Sequence, residues 1–582
     1  MRHAPYELAA EFDRRLGDPS DAGRLFSHAR CAALDDREEF PQEICRELDV
    51  LGLPAHYVPT EHGGTLRSYE EAVQLMRAVA RRDLTVAIAH GKTFLGAVSV
   101  WVGGDRDQAD ALGAEIAGGT IVSWGLTERE HGSDLLAGEV LAERVADGYR
   151  VSGEKWLINN GTRGHLVCLL ARTARDAGPR SFGILLVDKR KLDPASYRTL
   201  PAERLHGIRG ADISGIAFAD AAVPGTALVG PEGGGVEIVL KSLQLTRTLC
   251  ASLSLGAADH ALRLGTDYAL RRENYGSLLI DLPQSRRLLA LSYADLLLAE
   301  AVTVVASRGI HALTGELGVI SAATKFFVPN LVEQAVKRLA KLMGSRALLV
   351  GDTHEHGRFQ KVQRDHRIVG IFDGNSVVNL HSLVNQFPLL AKSYRRGTVD
   401  AAGLTAATTL TDPLPEFDRD RLTLLARGGC SVVQALPAGV AELTALVARG
   451  EVPESLERTA IGLKLAADEL LAAIAAQRPA AVDVPAEAFD LAERYTACFA
   501  AAAAIQLWLR NRATVVDGPA GALWRSGLWL EAALTRLLGR LRPARPDGTD
   551  DVFERLVEPL VAQHEAGQLL SLLPYQQQEA RR

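Results

Sequence analysis

Between about residue 119 and residue 235 the chain changes texture, and this change limits the available folds more than any other feature. Short β-type runs appear at Thr120–Trp124, Val140–Val145, Tyr149–Ser152, His165–Leu170 and Phe182–Val187, with turn signals such as Asp147–Gly148 between them. On either side the periodicity is helical. Upstream, Tyr69–Ala80 places Ala72, Leu75, Met76 and Val79 on one face, after a break at Leu51–Pro54. Downstream, the Gly-rich turn Gly230–Gly235 closes the segment, and Val236, Val239, Leu240 and Leu243 follow at helical spacing. Long helices are expected to about residue 390, with breaks near Asn274–Gly276 and Gly344. The fold class is therefore mostly α with a central β domain. The expected boundaries are a helical domain over 1–118, a middle β domain over 119–235 and a helical bundle over 236–392. A Thr/Ala/Pro-rich linker over 393–419 and a C-terminal helical extension over 420–582 complete the order, the extension being interrupted at Pro479–Pro485 and Pro543–Pro546. A length of 582 residues agrees with about three to four domains of roughly 150 residues each.

Charge and composition remove several function classes. Against 71 Asp+Glu stand 65 Lys+Arg, a formal net charge of −6, which is no basis for a nucleic-acid surface. With 47% hydrophobic residues the chain is too apolar to stay disordered. Its six cysteines are scattered and form no C-x-x-C pair, so neither a disulfide framework nor a Cys-rich metal site is expected, and the thiols suit a reducing cytoplasm. The N-terminal stretch lacks the apolar core of a signal peptide. The most apolar helical run, Ala497–Leu509, falls short of the ~20 residues that cross a bilayer, so it reads as a buried helix and no transmembrane segment is expected.

Four clusters carry chemistry. Trp124–Asp134 leaves a strand and is rich in Thr, Gly, Ser and Asp, so it offers hydroxyls and backbone N–H groups to a polar ligand; on its own it also fits a plain surface loop. Gly153–Gly161 sets Trp and Leu beside Asn, apolar groups for a flat ring and an amide for its edge, although a strand ending in an Asn–Gly turn reads the same way. Arg247, Tyr268–Gly276 and Gln284 supply the guanidinium groups that pyrophosphate favours; a solvated helix face is the plainer reading. Gln363–Ser376 places Asp373 after an apolar run and before Gly374, where a carboxylate is partly desolvated and can serve as a base, or where Asp373–Asn375 is merely a turn. The pair His354 and His356 lacks a third ligand, so no metal is expected, and the glycines around Gly233 do not open a βαβ unit.

Taken in order, these motifs resemble the acyl-CoA dehydrogenase family of flavoproteins. The resemblance runs through Thr127–Asp134, Gly153–Gly161, Gly207–Gly235, Arg247, Tyr268–Gly276, Gln284 and Arg364–Ser376, over roughly residues 30 to 390. It implies an N-terminal helical domain, a β-barrel-like middle domain and a C-terminal four-helix bundle, here followed by an extra C-terminal helical domain. It also implies FAD. Carried across by position, Trp124, Leu126, Thr127 and Ser133 face the flavin, with Leu157 and Asn159 beside its ring. Arg272, Asn274, Gln284, Lys341, Gly344 and Ser345 are implied for pyrophosphate and adenosine, partly from a neighbouring subunit, and Asn375 and Val377 for closing the site. Ser133, Arg247, Gly374 and a turn at Gln244–Thr246 are implied for the substrate's thioester arm.

The implied reaction is α,β-dehydrogenation of an acyl thioester, of CoA or of a carrier protein, with Asp373 as the base and flavin N5 as hydride acceptor. An electron-transfer flavoprotein is the implied electron acceptor and a homodimer the implied assembly. The sequence departs from the family pattern at four points. Asp373 stands where Glu is usual, which draws the carboxylate back by ~1.5 Å, and a misplacement of about 1 Å can cost on the order of a hundredfold. The alternative base position on the preceding helix holds Thr246, which carries no carboxylate. Leu157 replaces a flavin-side Trp, with Trp156 adjacent, and Lys341 and Ser345 replace Gln and Gly. Asp at the base position also occurs in nitroalkane oxidases, so an oxidase on this scaffold is the second reading, and a binding protein without activity the third. The related N- and S-monooxygenases lack the carboxylate.

Overall fold

The computed structural model describes residues 3–175, 178–351, 355–478, 483–515, 518–542 and 551–578. Its backbone divides into two compact units. One comprises Ala29–Arg67 and Thr85–Thr246; the other Met1–His28, Ser68–Leu84 and Arg247–Arg582.

The first unit is built on an eight-stranded sheet. In chain order its strands are β1 (Val122–Gly125), β2 (Leu141–Val145), β3 (Gly148–Asn159), β4 (Leu166–Arg172), β5 (Phe182–Asp188), β6 (Tyr197–Leu200), β7 (Ile213–Pro224) and β8 (Leu228–Val229). They lie in the order β6-β7-β3-β2-β4-β5-β8, with β1 paired to β4. Five of these lie where the sequence marks β-type runs; β6, β7 and β8 were not anticipated. Strand β7 reads Ile213–Pro224, with Ser214, Gly215, Asp220 and four alanines diluting its alternation, so it shows no clean apolar period. Val151, Val167, Leu169, Leu185, Val187, Ile216 and Phe218 form the sheet's buried core. The hairpin β2–β3 closes at Asp147–Gly148, where Gly148 has φ of 150° and a Cβ would meet the Val223 carbonyl at 2.2 Å.

The second unit is helical. Helices Ala251–Arg271, Pro283–Ala312 and Leu317–Met343 pack on one another. Helix Tyr69–Arg82 starts where Ser68 accepts a hydrogen bond from the Glu71 N–H, and it packs along Ala251–Arg271. The helix breaks fall at Glu273–Leu278, a two-stranded hairpin, and at Gly344 after Met343. Leu84–Gly103 in the main belongs to the first unit; it and Pro283–Ala312 are long and apolar enough to cross a membrane, but are 72% and 89% buried. Their burial is that of core helices.

Residues 393–419, expected as a linker, carry helix Ala401–Thr408, whose Leu404 and Ala407 are buried. The extension is not a separate body. Helices Ala486–Asn511, Leu528–Leu541 and Asp551–Glu565 pack on Pro283–Ala312. Buried polar ties hold them there: Arg536 Nε donates to Asp295 Oδ1 at 2.9 Å, Tyr293 donates to Gln563 Oε1 at 2.5 Å, and the Leu572 N–H donates to Glu300 Oε2 at 2.9 Å. Residues 479–482 and 543–550, where proline interruptions were expected, and His354 lie outside the described residues.

Candidate active site

In the first unit, β1 runs into the loop that begins at Leu126. The backbone N–H of Trp156 on β3 donates to the Thr127 carbonyl at 3.0 Å. Ser123 Oγ on β1 donates to the Asn160 carbonyl at 2.7 Å. Between these two ties sits a buried ion pair. Lys155 Nζ donates to Glu128 Oε1 at 2.7 Å and to the Leu126 carbonyl at 3.0 Å. The same Glu128 carboxylate accepts from the Glu139 N–H at 2.6 Å and the Val140 N–H at 3.2 Å. Burial would raise Glu128, but the Lys155 charge and these hydrogen bonds outweigh it and hold the carboxyl below its ordinary range. Burial lowers Lys155 against the pull of Glu128. Two sequence motifs are thus clamped to each other. Both residues stand inside the quoted motifs, yet neither was assigned a role, because nothing local says that they pair.

The pairing of β3 with β7 shifts register between Lys155 and Ile158. Trp156 and Leu157 occupy that bulge. Leu157 has φ of 54°, rare for a leucine, and is 40% exposed. Trp156 Nε1 donates to Glu203 Oε1 at 2.9 Å, with the Arg129 guanidinium 4.5 Å from its ring centre. Just beyond the bulge, both amide atoms of Asn159 are buried with no hydrogen-bond partner, and so is the Trp124 indole N–H on β1. Buried orphans of this kind are uncommon and point to a missing partner. An amide and an indole N–H near Leu126 and Leu157 suit a flat ring with a polar edge, so the residues present fit FAD. Ser133 stands exposed on the loop that follows.

In the second unit, Asp373 sits between the short helical turn Arg367–Gly370 and helix Ser376–Val384. Asn375 caps that helix, its Oδ1 accepting from the Val378 N–H at 2.9 Å. Asp373 and Gly374 have φ of 56° and 96°. The left-handed conformation is tolerated by Asp better than by most residues, and Gly374 needs its missing Cβ twice, since one would also meet Arg247 Nη2 at 3.1 Å. The loop's carbonyls are tied down one by one. Arg247 Nε donates to the Asp373 carbonyl at 3.2 Å. Lys325 Nζ donates to those of Val369 at 2.7 Å and Gly374 at 3.2 Å. Asn379 Nδ2 donates to those of Gly374 at 2.8 Å and Asn375 at 2.9 Å. Burial pulls the Arg247 guanidinium down to about 10 against the Asp373 charge, so it stays a cation at neutral pH. The Asp373 side chain is only half-buried, and Val377 beside it is exposed. Sequence reasoning missed Lys325 and Asn379. A lone lysine within the apolar run Val319–Val328 was the available signal, since burial of an ammonium demands partners.

The residues implied for pyrophosphate and adenosine are surface groups of the second unit. Arg272 ends helix Ala251–Arg271 and, with Asp267, Tyr268, Met343 and Glu355, lines a pocket of ≈ 230 Å³. Lys341, Gly344 and Ser345 lie exposed around Met343. Asn274 pairs with Ser277 in the exposed hairpin, and Gln284 stands exposed in the first turn of Pro283–Ala312. The expected turn at Gln244–Thr246 is absent. Those residues are buried within helix Gly235–Leu249, whose apolar spacing continues through Leu243 and Leu245.

Three family descriptions match the chain in succession: acyl-CoA dehydrogenase, N-terminal domain, over residues 25–120; middle domain, over 123–221; and C-terminal domain, over 233–386. The chain belongs to the acyl-CoA dehydrogenase family, whose members are FAD-binding oxidoreductases. It is 26% identical over 348 residues to the probable acyl-CoA dehydrogenase FadE25 of Mycobacterium tuberculosis, covering 60% of this chain and 87% of that one. To the short-chain specific acyl-CoA dehydrogenase of Clostridium acetobutylicum it is 27% identical over 354 residues, covering 60% and 90%. Among solved structures it resembles butyryl-CoA dehydrogenase from Megasphaera elsdenii, with a TM-score of 0.57, 22% identity and coverage of 65% and 96%. A second, the prolyl acyl carrier protein oxidase AnaB, has a TM-score of 0.58, 16% identity and coverage of 65% and 97%. At those identities the structural likeness establishes the fold.

Proposed function

We propose that this protein catalyses α,β-dehydrogenation of an acyl thioester, of CoA or of a carrier protein, with Asp373 as the base that takes the α-proton. The observation that carries this reading is the Asp373 loop. A half-buried carboxylate stands on a backbone whose carbonyls are held by two buried cations and a buried amide. Such fixing suits proton abstraction, where placement of the base dominates the rate. The α-proton is weakly acidic, so charge developing on the thioester oxygen requires a hydrogen-bond donor, and the Asp373 backbone N–H is the chain's own candidate. The buried Arg247 holds the loop through the Asp373 carbonyl. Trp124, Leu126, Thr127, Ser133, Leu157 and Asn159 are the residues proposed to hold the flavin, and Arg272, Asn274, Gln284, Lys341, Gly344 and Ser345 its nucleotide arm. FAD supplies the hydride acceptor.

The proposal extends to a homodimer in the cytoplasm that passes its electrons to an electron-transfer flavoprotein. All six cysteines are buried free thiols, which suits a reducing compartment. Family membership supports an acceptor such as an electron-transfer flavoprotein, and the C-terminal helical extension supports the dimer.

Anaerobic mixing of the flavin-loaded protein with acyl-CoA and acyl-carrier-protein panels tests the reaction. Asp373→Asn should keep FAD and lose reduction by substrate, whereas Asp373→Glu should keep reduction of straight acyl-CoAs. Flavin reduction by Asp373→Asn at the parent rate removes the base assignment. Peroxide formation with a nitroalkane, and no bleaching by thioesters, would favour the oxidase reading. A protein that takes up no FAD would be the inactive binding form.

A further inference from the structure

The turn that supplies Arg247 makes a second contact with the same aspartate. Cys250 lies between helices Gly235–Leu249 and Ala251–Arg271 and is 4% exposed. Its Sγ stands 3.1 Å from Asp373 Oδ2, with the thiol as donor. One turn of backbone therefore grips the residue twice: Arg247 Nε takes the main-chain carbonyl at 3.2 Å, and Cys250 takes the carboxylate. Arg247 and Lys325 also face this loop, with hydrogen bonds to the carbonyls of Asp373, Val369 and Gly374. The thiol contact is made to the reacting group itself. A short carboxylate has one side-chain torsion fewer than Glu, and a single donor on one oxygen suffices to fix its rotation.

We propose that Cys250 is a positioning residue for dehydrogenation: its thiol, donating to one carboxylate oxygen, orients the Asp373 side chain. This rests on the reading of Asp373 as the base. A donor to a carboxylate favours the charged form, so its removal moves proton uptake to higher pH. The acidic limb of the kcat/KM profile should rise by roughly one pH unit in Cys250→Ala, with kcat three- to tenfold lower and KM little changed. Cys250→Ser, which keeps an O–H donor, should recover most of the limb position.

The S–H stretching band, clear of other protein absorption, gives a readout independent of turnover. In the flavin-loaded parent, one thiol band should lie at lowered frequency while Asp373 is ionised. It should move back on acidification and in Asp373→Asn, and disappear in Cys250→Ala. A band insensitive to Asp373→Asn overturns the proposal even if Cys250→Ala fails to fold. An unshifted pH limb in a folded Cys250→Ala variant does the same. If Asp373→Asn is inactive while Cys250→Ala behaves as the parent, the base assignment stands and the role of Cys250 falls. If Asp373→Asn keeps its activity, the base assignment falls first.

Discussion

Replacing Lys155 by Met removes a charge and keeps most of the side chain's volume, so it isolates the electrostatics of the clamp beneath the Leu126–Asp134 loop. Lys155 and Glu128 are 1% and 7% exposed, and their contact is 2.7 Å. Breaking one partner of a buried pair leaves the other charge uncompensated and typically costs 3–5 kcal/mol. Glu128 keeps two backbone N–H donors, so the lower end applies, about 3 kcal/mol. In a unit of this size that lowers the thermal midpoint by roughly 6–12 °C. The pH dependence gives the sharper test. In the parent, Glu128 is held below its ordinary range, so its contribution is present above that range and is lost as the pH falls through the lowered value. In Lys155→Met only the two backbone N–H donors still oppose burial, the Glu128 carboxyl rises, and stability is regained as the pH falls through the raised value. The deficit relative to the parent should therefore shrink toward acid. The double variant Glu128→Gln/Lys155→Met should recover more than half of the loss near neutral pH. Thermal melts of parent, single and double variants across the acid range measure all three quantities. A pH-independent deficit, or a double variant as unstable as the sum of the two single ones, refutes the clamp.

Two further outcomes can be checked. Asn159→Ala removes buried polar atoms that lack partners in the protein, so the flavin-free form should melt no lower than the parent, while FAD affinity drops roughly five- to thirtyfold by titration; a lowered flavin-free midpoint with unchanged affinity contradicts the assignment. Burial raises Glu316 to about 7, although the Ser431 N–H and hydroxyl both donate to it and counter the rise. Its stabilising effect is thus complete below its unfolded value and lost as the pH rises toward about 7, on the order of 3 kcal/mol. Urea midpoints from about pH 5 to about pH 8 should fall in the parent and flatten in Glu316→Gln; an equal slope in both excludes Glu316 as the source.

Periodicity alone set the broad architecture, because apolar spacing is a local property: 3.6 for the long helices, 2 for the strands of the middle segment. It reached Gly344 and the hairpin around Tyr275, where glycine punctuates the pattern. It failed for β7, whose small residues gain their burial from β3 rather than from their own order. It also failed at 393–419, where composition suggested a linker and packing of Leu404 and Ala407 made a helix. Motif order pointed to Asp373, Trp124 and Asn159 as candidates. Which groups hold them was decided by tertiary contacts between residues far apart in the chain. Lys155 reaches Glu128 27 positions away, and Cys250 and Arg247 reach Asp373 across 123 and 126. A one-dimensional pattern records what each residue is able to donate or accept; only the folded chain brings the partner within hydrogen-bond distance and takes the water away.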